Sequence, residues 1–477
     1  MLVGVAALAV TLVSTVGATA PTLGTNCQTD GKISGRGATF ANKAQAAFIA
    51  GFTSDVCGKV TTLDASGDNM VLYNYDTTTG SGAGQKGQSC RHDAYGGSDI
   101  PYDEATLGQL DGAPGATGGC TFATDSPFQP APGPYPNGTT DVQSKIINFP
   151  IGGSAVAVAV NLQTTDCTGG PRPTALSFTT AMVSKLFSGD ISNWNDPQLR
   201  AGGLNANLAN CNKAITRVVR LDKSGTTQIF KNYLSRADGA RDLTDAPCTS
   251  ANLTAPVNWS VLAQDANNTL WPETGGTCSA LARGAANGNG EVVKRCNSNT
   301  GGVGTGTGGE VCYADLSDIA PLRTATSPII LASIRNSTDT AFVTPVNSNA
   351  ANCNFGGLPL PGSSNADRMG QNLTENYGFD NDAVNGTGNH SDLTFDIAGA
   401  GYPICGVTFA LLYAGSGALG TEPVGEGDLT VNQRRTLYSY ELYILSSAGQ
   451  GQLTSIFYAS LPSGILKSLR DSFKAVY

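Results

Sequence analysis

Between Thr39 and Phe52 the apolar residues Phe40, Ala44, Ala47, Phe48 and Phe52 recur at helical spacing, which predicts an amphipathic helix entered through a turn at Gly35 to Thr39. Ile146 to Val160 follows a different rule. Its apolar residues are nearly continuous and β-rich, which predicts a strand covered on both faces, and such strands are usual in parallel sheets. Two further helices are expected at Thr179 to Phe187 and Thr226 to Arg236, the second with Ile229, Phe230, Tyr233 and Leu234 on one side. Apolar character returns at Tyr402 to Tyr413, and helices are expected near Val431 to Ser447 and Ile465 to Phe473. Strands alternating with helices place the chain in the α/β class. Near 267–309 and 347–399, Gly, Asn, Ser and Thr displace the periodic apolar residues, so both stretches read as long surface loops or insertions.

The chain has 477 residues, room for two or three domains, and its 40% hydrophobic content fills ordinary cores. With 60 glycines and only 14% charged residues, the surface is built from small polar groups, as in secreted proteins. A net charge of -9 argues against nucleic acid, which needs clustered Lys and Arg. Met1 to Val13 is apolar and leads into Gly17 to Ala20, so residues 1–20 read as a signal peptide and the protein as exported to the periplasm, cell surface or medium. No Lys or Arg precedes the apolar run, which leaves a truncated start, or retention as an anchor, as alternatives to a complete, cleaved signal. Cys27 lacks the residues that precede a lipidated cysteine. The twelve cysteines contain no Cys-x-x-Cys pair, which argues against zinc and for up to six disulfides. Cys296 and Cys312 are placed to clip the base of a Gly/Thr-rich run. Eight Asn-x-Ser/Thr sequons occur, at Asn137, Asn252, Asn258, Asn267, Asn336, Asn372, Asn385 and Asn389, a number this composition yields by chance.

Arg220 to Phe230 carries the strongest local signal, a strand end, a Gly-containing turn and an amphipathic helix. Backbone N–H groups at a helix start have no internal partner and sit at the positive end of its dipole, so they suit an oxyanion. Ser224 and Thr226 add hydroxyls and Arg220 a planar charged fork, although the same residues also serve as an ordinary helix cap with a solvated Arg. Gly37 to Phe40 offers a second helix start with Thr39, and Gly80 to Gly84 a close backbone with Ser81; each also has a plain structural reading as a cap or a turn. No Lys-Ser/Thr follows Gly84, so a nucleotide P-loop is excluded. Asp99 is the telling residue. A carboxylate in an anion site is tolerable when the ligand brings its own proton, as monohydrogen phosphate does and sulfate does not. Taken alone, Asp99 is equally a turn residue.

In this order and spacing the segments resemble the phosphate-binding subunit of bacterial phosphate ABC importers. Tyr75 to Tyr102 is similar to that family's first-lobe ligand loops, Phe149 to Leu162 to its first crossing strand, Leu186 to Pro197 to its second-lobe signature and Gly451 to Pro462 to its ending. The resemblance covers most of 31–260 and 400–477. It implies a two-lobed type II periplasmic-binding-protein fold with crossing hinge strands: residues 27–150 and 409–477 as lobe 1, and 151–408 as lobe 2 with the insertions. It implies a phosphate shell of Thr39, Phe40 through its amide, Ser81, Asp99, Arg220, Ser224, Gly225 and Thr226, with Asp222 orienting Arg220. Lobe closure over the anion would follow, with delivery to membrane permease subunits. The expected protein is a monomer that is not an enzyme and uses no cofactor or metal. Leu221, Lys223 and the many cysteines depart from the family pattern.

Three rival readings accompany it. One is another oxyanion: Asp99 disfavours sulfate and molybdate but admits arsenate. A secreted phosphatase or other hydrolase is the second, although only His92 and His390 are present and no nucleophile–base pair is legible. The third is a phosphate sensor or adhesion module, which would share the site and differ in partners.

Overall fold

The computed structural model describes residues 31–57, 70–75, 80–89, 93–99, 146–222, 224–238, 259, 271, 286–297, 308–323, 327–348, 350–355, 399–413 and 429–476. The proposed signal peptide, Lys223, both histidines and most of the Gly/Asn-rich stretches lie outside these residues.

The first half is a strand–helix repeat. β1 (Ile33–Gly37) leads into α1 (Thr39–Phe52), β2 (Val71–Tyr75) precedes α2 (Ser81–Ser89), and β3 (Tyr95–Ser98) follows. β1 lies between β2 and β3 and runs parallel to both. β4 (Ile146–Asn161) is the spine of the molecule. Its first part, Ile146 to Ala155, pairs antiparallel with a late strand, Cys405–Tyr413, which in turn pairs with β3. Its second part pairs antiparallel with strands in 310–315 and 329–331. One strand therefore belongs to two sheets and changes partners between Ala155 and Val156. The returning chain passes the same point, where Val156 N donates to Ile404 O (2.8 Å).

In the second sheet β5 (Ser177–Phe178) precedes α3 (Thr180–Ser188), and β6 (Thr216–Val218) precedes α4 (Gly225–Asp238). α5 (Gly288–Asn297) leads to β7 (Glu310–Asp315), α6 (Leu316–Ile319) and β8 (Ile329–Leu331), with β6 parallel to β7. β9 (Ser333–Arg335) joins β5 and β10 (Phe342–Val343) in a small sheet, and β11 (Val346–Asn347) pairs with β12 (Ala350–Ala351). β13 is the Cys405–Tyr413 strand. α7 (Val431–Ile444), α8 (Ser447–Leu453), β14 (Tyr458–Ala459) and α9 (Ser463–Val476) complete the chain.

The tail returns to the first sheet. α1 packs on α7 and α8, and Phe52 meets the rings of Tyr440 and Tyr443 edge-on at 5.4 and 5.9 Å. Apolar residues of both sheets form one continuous core. On the second side it holds a ring cluster in which Phe230 stacks on Tyr313 at 4.5 Å and meets Phe187 edge-on at 4.7 Å.

Three local expectations change, and one sequon proves structural. Among the described residues β4 has only antiparallel partners, because its unbroken apolar run reports burial on both faces, which any central strand needs, and not strand direction. Gly35 to Gly37 is strand, not turn. A Cβ at Gly35 would lie 2.2 Å from the Tyr95 ring, so glycine lets that ring cross the strand. Within 267–309 a helix, α5, interrupts the supposed loop. Asn336 belongs to a sequon by sequence but is buried, its amide donating to Thr340 Oγ1 (3.0 Å) and Ala400 O (3.3 Å), so it shapes a turn.

Three disulfides lie wholly within the described residues, Cys167–Cys211, Cys296–Cys312 and Cys353–Cys405. The second is the clip anticipated from the sequence. No helix among the described residues is long and apolar enough to cross a membrane.

Glu441 on α7 is the exception in this core. It is fully buried, neither carboxyl oxygen has a hydrogen-bond partner among the described residues, and burial pushes its carboxyl up to about 8. The folded chain thus keeps a proton that the unfolded chain releases near its ordinary 4.5. Stability from this group is complete below the unfolded value and is lost as pH rises toward 8, at about 1.4 kcal/mol per pH unit at most. Urea unfolding of the wild type and of Glu441→Gln at pH 5 and pH 8 should show a smaller loss of stability in the variant; equal losses would contradict the assignment.

Candidate anion site at four helix starts

Parallel strands bring their C-terminal ends to one edge, and open α/β sheets place ligands outside that edge. The end of β1 runs into Thr39 and the end of β3 into Asp99 on the neighbouring strand, with Ala38 N donating to Gly97 O (2.9 Å). α1 starts at Thr39 without a side-chain cap on Ala38, so its first amides have no partner in the helix. α2 starts at Ser81 after Gly80, whose φ of 52° makes the turn. The segment expected to be a glycine turn is thus a turn and a helix start together.

Ser81 and Asp99 hold each other. Ser81 Oγ donates to Asp99 Oδ2 (3.2 Å) and accepts from Asp99 N (3.1 Å). Asp99 is buried, and its Oδ1 has no hydrogen-bond partner among the described residues. Burial is the main cause that pushes its carboxyl up to about 7; the hydroxyls of Thr408 and Ser81 and the charge of Arg220 oppose the rise, and Asp315 adds to it.

From the second sheet, Arg220 follows β6 and is 1% exposed. Asp222 grips it as a fork, taking Nε on Oδ1 (2.7 Å) and Nη2 on Oδ2. Nη1 reaches Asn289 Oδ1 (3.0 Å) and Thr226 Oγ1 (3.5 Å). Behind it, Arg220 N donates to Tyr313 Oη (3.3 Å), which also contacts Thr227 Oγ1 (2.8 Å). Ser224 Oγ caps α4 by accepting from Thr227 N (3.2 Å).

Gly225 joins the two halves. A Cβ there would stand 2.4 Å from Asp99 Cβ, 2.7 Å from Asp99 Oδ2 and 2.7 Å from Ser81 Oγ, so the start of α4 lies directly on the carboxylate of the other sheet. Ser81, Asp99, Arg220, Asp222, Ser224, Gly225 and Thr226 come together in this way, and Thr39 and Phe40 stand at the adjoining strand end. Phe40 is tied in through its carbonyl, which accepts from Tyr458 Oη. The same hydroxyl meets Asp315 Oδ2 (2.7 Å), and Asp315 also accepts from Ser154 Oγ of β4 (2.6 Å) and Ser317 Oγ (2.7 Å). Across the rim, Lys43 of α1 pairs with Asp318 of α6 at 3.9 Å.

Asn289 was not singled out from the sequence. It sits in a stretch whose Gly/Asn composition hides any periodicity, and only Gly-Asn-Gly-Glu before the apolar pair Val292 and Val293 hinted at a helix start. Tyr458 and Asp315 were missed because their role is a contact between distant segments.

The local chemistry is rich in hydrogen-bond donors. Hydroxyls, helix-start amides and one guanidinium converge, while no cluster of three or more metal-ligating side chains exists among the described residues. Gly225→Ala should prevent the halves from meeting. Small-angle scattering is expected to give a larger radius of gyration than for the wild type, and an unchanged radius would contradict this geometry.

Comparison with known proteins gives a consistent picture. A PBP superfamily domain matches residues 133–349. The phosphate-binding protein PstS of Haemophilus influenzae is 36% identical over 94 residues, 20% of this chain and 26% of that protein. Phosphate-binding protein PstS3 of Mycobacterium bovis is 28% identical over 231 residues, 44% of this chain and 49% of that protein. The chain therefore spans about half, or less, of the length of these curated relatives. A high-affinity periplasmic phosphate-binding protein (PfluDING), solved with phosphate, superposes with a TM-score of 0.53 at 18% identity, over 92% of this chain and 93% of that one. A phosphate-binding protein from Stenotrophomonas maltophilia gives 0.53 at 15% identity, with 92% and 93% covered. The architecture shared with these structures is the two-lobed type II periplasmic-binding-protein fold. All these relatives are described as binding proteins.

Proposed function

We propose that the chain is a PstS-like member of the PBP superfamily that captures inorganic phosphate between its two lobes and delivers it to an ABC importer. One observation carries the reading: the start of α4 meets Ser81 and Asp99, so donors from one lobe face a carboxylate of the other whose Oδ1 is unpartnered. A monohydrogen phosphate offers that oxygen its hydrogen and takes its remaining hydrogen bonds from Thr39, the Phe40 amide, Ser81, Arg220, Ser224, Gly225 and Thr226.

The charge balance favours such a ligand. Arg220 is already shared with Asp222, so the site attracts an anion through aimed N–H and O–H groups more than through net charge. Sulfate has no hydrogen to give an ionised Asp99, and leaving that buried charged acceptor facing an anion costs about 1 to 3 kcal/mol or more. The partner change on β4 supports a hinge there, with the N-terminal part and the tail as one lobe and the middle as the other. Closure follows from contacts that the ligand makes with both lobes at once. The ligand leaves unchanged, because the reading calls for no bond to be made or broken. The N-terminal apolar run supports export, and the descriptions of the relatives as phosphate-binding, one of them periplasmic, support capture of phosphate outside the cytoplasm.

Equilibrium dialysis with radiolabelled phosphate at pH 8, where Asp99 is largely ionised, should show one phosphate retained per chain, with excess sulfate displacing little of it. Asp99→Asn should let sulfate compete at least about tenfold better, the effect of one charge-assisted hydrogen bond. No retained phosphate, or equal competition by sulfate in both proteins, would sink the reading.

A further inference from the structure

We infer that Asn289 is a positioning residue that fixes the direction of the Thr226 hydroxyl, so that its hydrogen points at the anion. This rests on the proposed phosphate site and deepens it.

The argument is an inventory of donors and acceptors. Arginine only donates, so the Asn289 atom 3.0 Å from Arg220 Nη1 is the amide oxygen, and this settles the orientation of the side chain. The amide nitrogen then necessarily faces Thr226 Oγ1, at 3.3 Å. Thr226 Oγ1 also accepts from Arg220 Nη1 at 3.5 Å. A hydroxyl oxygen has two lone pairs, and both are engaged. Its hydrogen is left to donate elsewhere, toward the proposed phosphate beside the start of α4 and Asp99. Without Asn289 the same hydroxyl could turn its hydrogen back.

Asn289 is held firmly enough for this task. It is fully buried and follows Gly288, whose φ of 74° reverses the chain and whose N–H donates to Asp222 Oδ1 (3.0 Å). Ala286, just upstream, docks on the Arg220 segment through two main-chain hydrogen bonds of 3.0 Å, Ala286 N to Val219 O and Leu221 N to Ala286 O. At the far end of α5, Cys296 is bonded to Cys312 of β7, and its carbonyl accepts from Asn161 Nδ2 of β4 (2.9 Å). The helix is thereby pinned at both ends to the segments that carry the site.

Arg220 depends on Asn289 much less. Asp222 already fixes its Nε and Nη2, which sets the guanidinium plane without help. The distinctive contribution of Asn289 is therefore to Thr226, which makes a double-mutant cycle the direct test.

Phosphate dissociation constants are measured by titration calorimetry for wild type, Asn289→Ala, Thr226→Val and the double variant, with the thermal midpoint of each as a check on folding. Each single variant is expected to bind roughly tenfold to a hundredfold more weakly, the range of one hydrogen bond to a charged group. The double variant should bind no more than about threefold worse than Thr226→Val alone, because coupled residues do not add. Multiplying losses, or unchanged affinity in Asn289→Ala, would overturn the inference while leaving the phosphate reading intact. No phosphate binding by the wild type would overturn both. If Asn289→Ala fails to fold, Asn289→Asp takes its place: it keeps the shape and still accepts from Arg220 but cannot donate to Thr226. It should bind at least about tenfold more weakly at pH 8, and wild-type affinity there would likewise overturn the inference.

Discussion

A guanidinium buried to 1% exposure beside a carboxylate that already claims two of its nitrogens is the constraint from which the site follows. Desolvating Arg220 is tolerable only because Asp222, Thr226 and Asn289 satisfy it, and that satisfaction consumes most of its charge. The proposed site therefore has little net attraction for anions in general. What it offers is direction, through helix starts without internal partners, hydroxyls with assigned hydrogens and one carboxylate that needs a donor. On the proposed reading, such a site discriminates by the proton inventory of its ligand and not by charge alone.

The fold supplies this direction by repetition. α1, α2, α4 and α5 each begin beside the site, so loose amides and the positive ends of helix dipoles converge there from two sheets. β4 makes the convergence possible by belonging to both sheets and changing partners at Ala155 and Val156. Close to that change sits Asp315, which gathers Ser154 of β4, Ser317 of α6 and the tail's Tyr458, itself reaching the Phe40 carbonyl. A single buried carboxylate thus links the shared strand, both lobes and a residue of the candidate site.

Much of this was legible in the amino-acid order because local physics decides it. α1 needs only the spacing of Phe40, Ala44, Phe48 and Phe52, and α4 only the Gly-containing turn before Ile229, Phe230, Tyr233 and Leu234. The unbroken apolar run of β4 announced a central strand but not the direction of its neighbours, since burial is blind to polarity along the sheet. What stayed hidden depends on long-range contact. Asn289 lies in a stretch whose composition mimics a loop, and its amide acquires meaning only where 286–289 docks on 219–222. Gly225 was legible as part of a helix-start motif, but its packing against Asp99 across the two halves was not. Glu441 sits among apolar neighbours on α7, and nothing in its surrounding sequence signals a carboxyl without partners.

A crystal structure of the chain grown with phosphate tests the central claim most directly. The account requires one tetrahedral anion held between the lobes, with an oxygen in hydrogen-bond contact with Asp99 Oδ1 and others on Arg220 and Thr226. A phosphate bound elsewhere, or one that touches Arg220 while Asp99 stays out of reach, would contradict it.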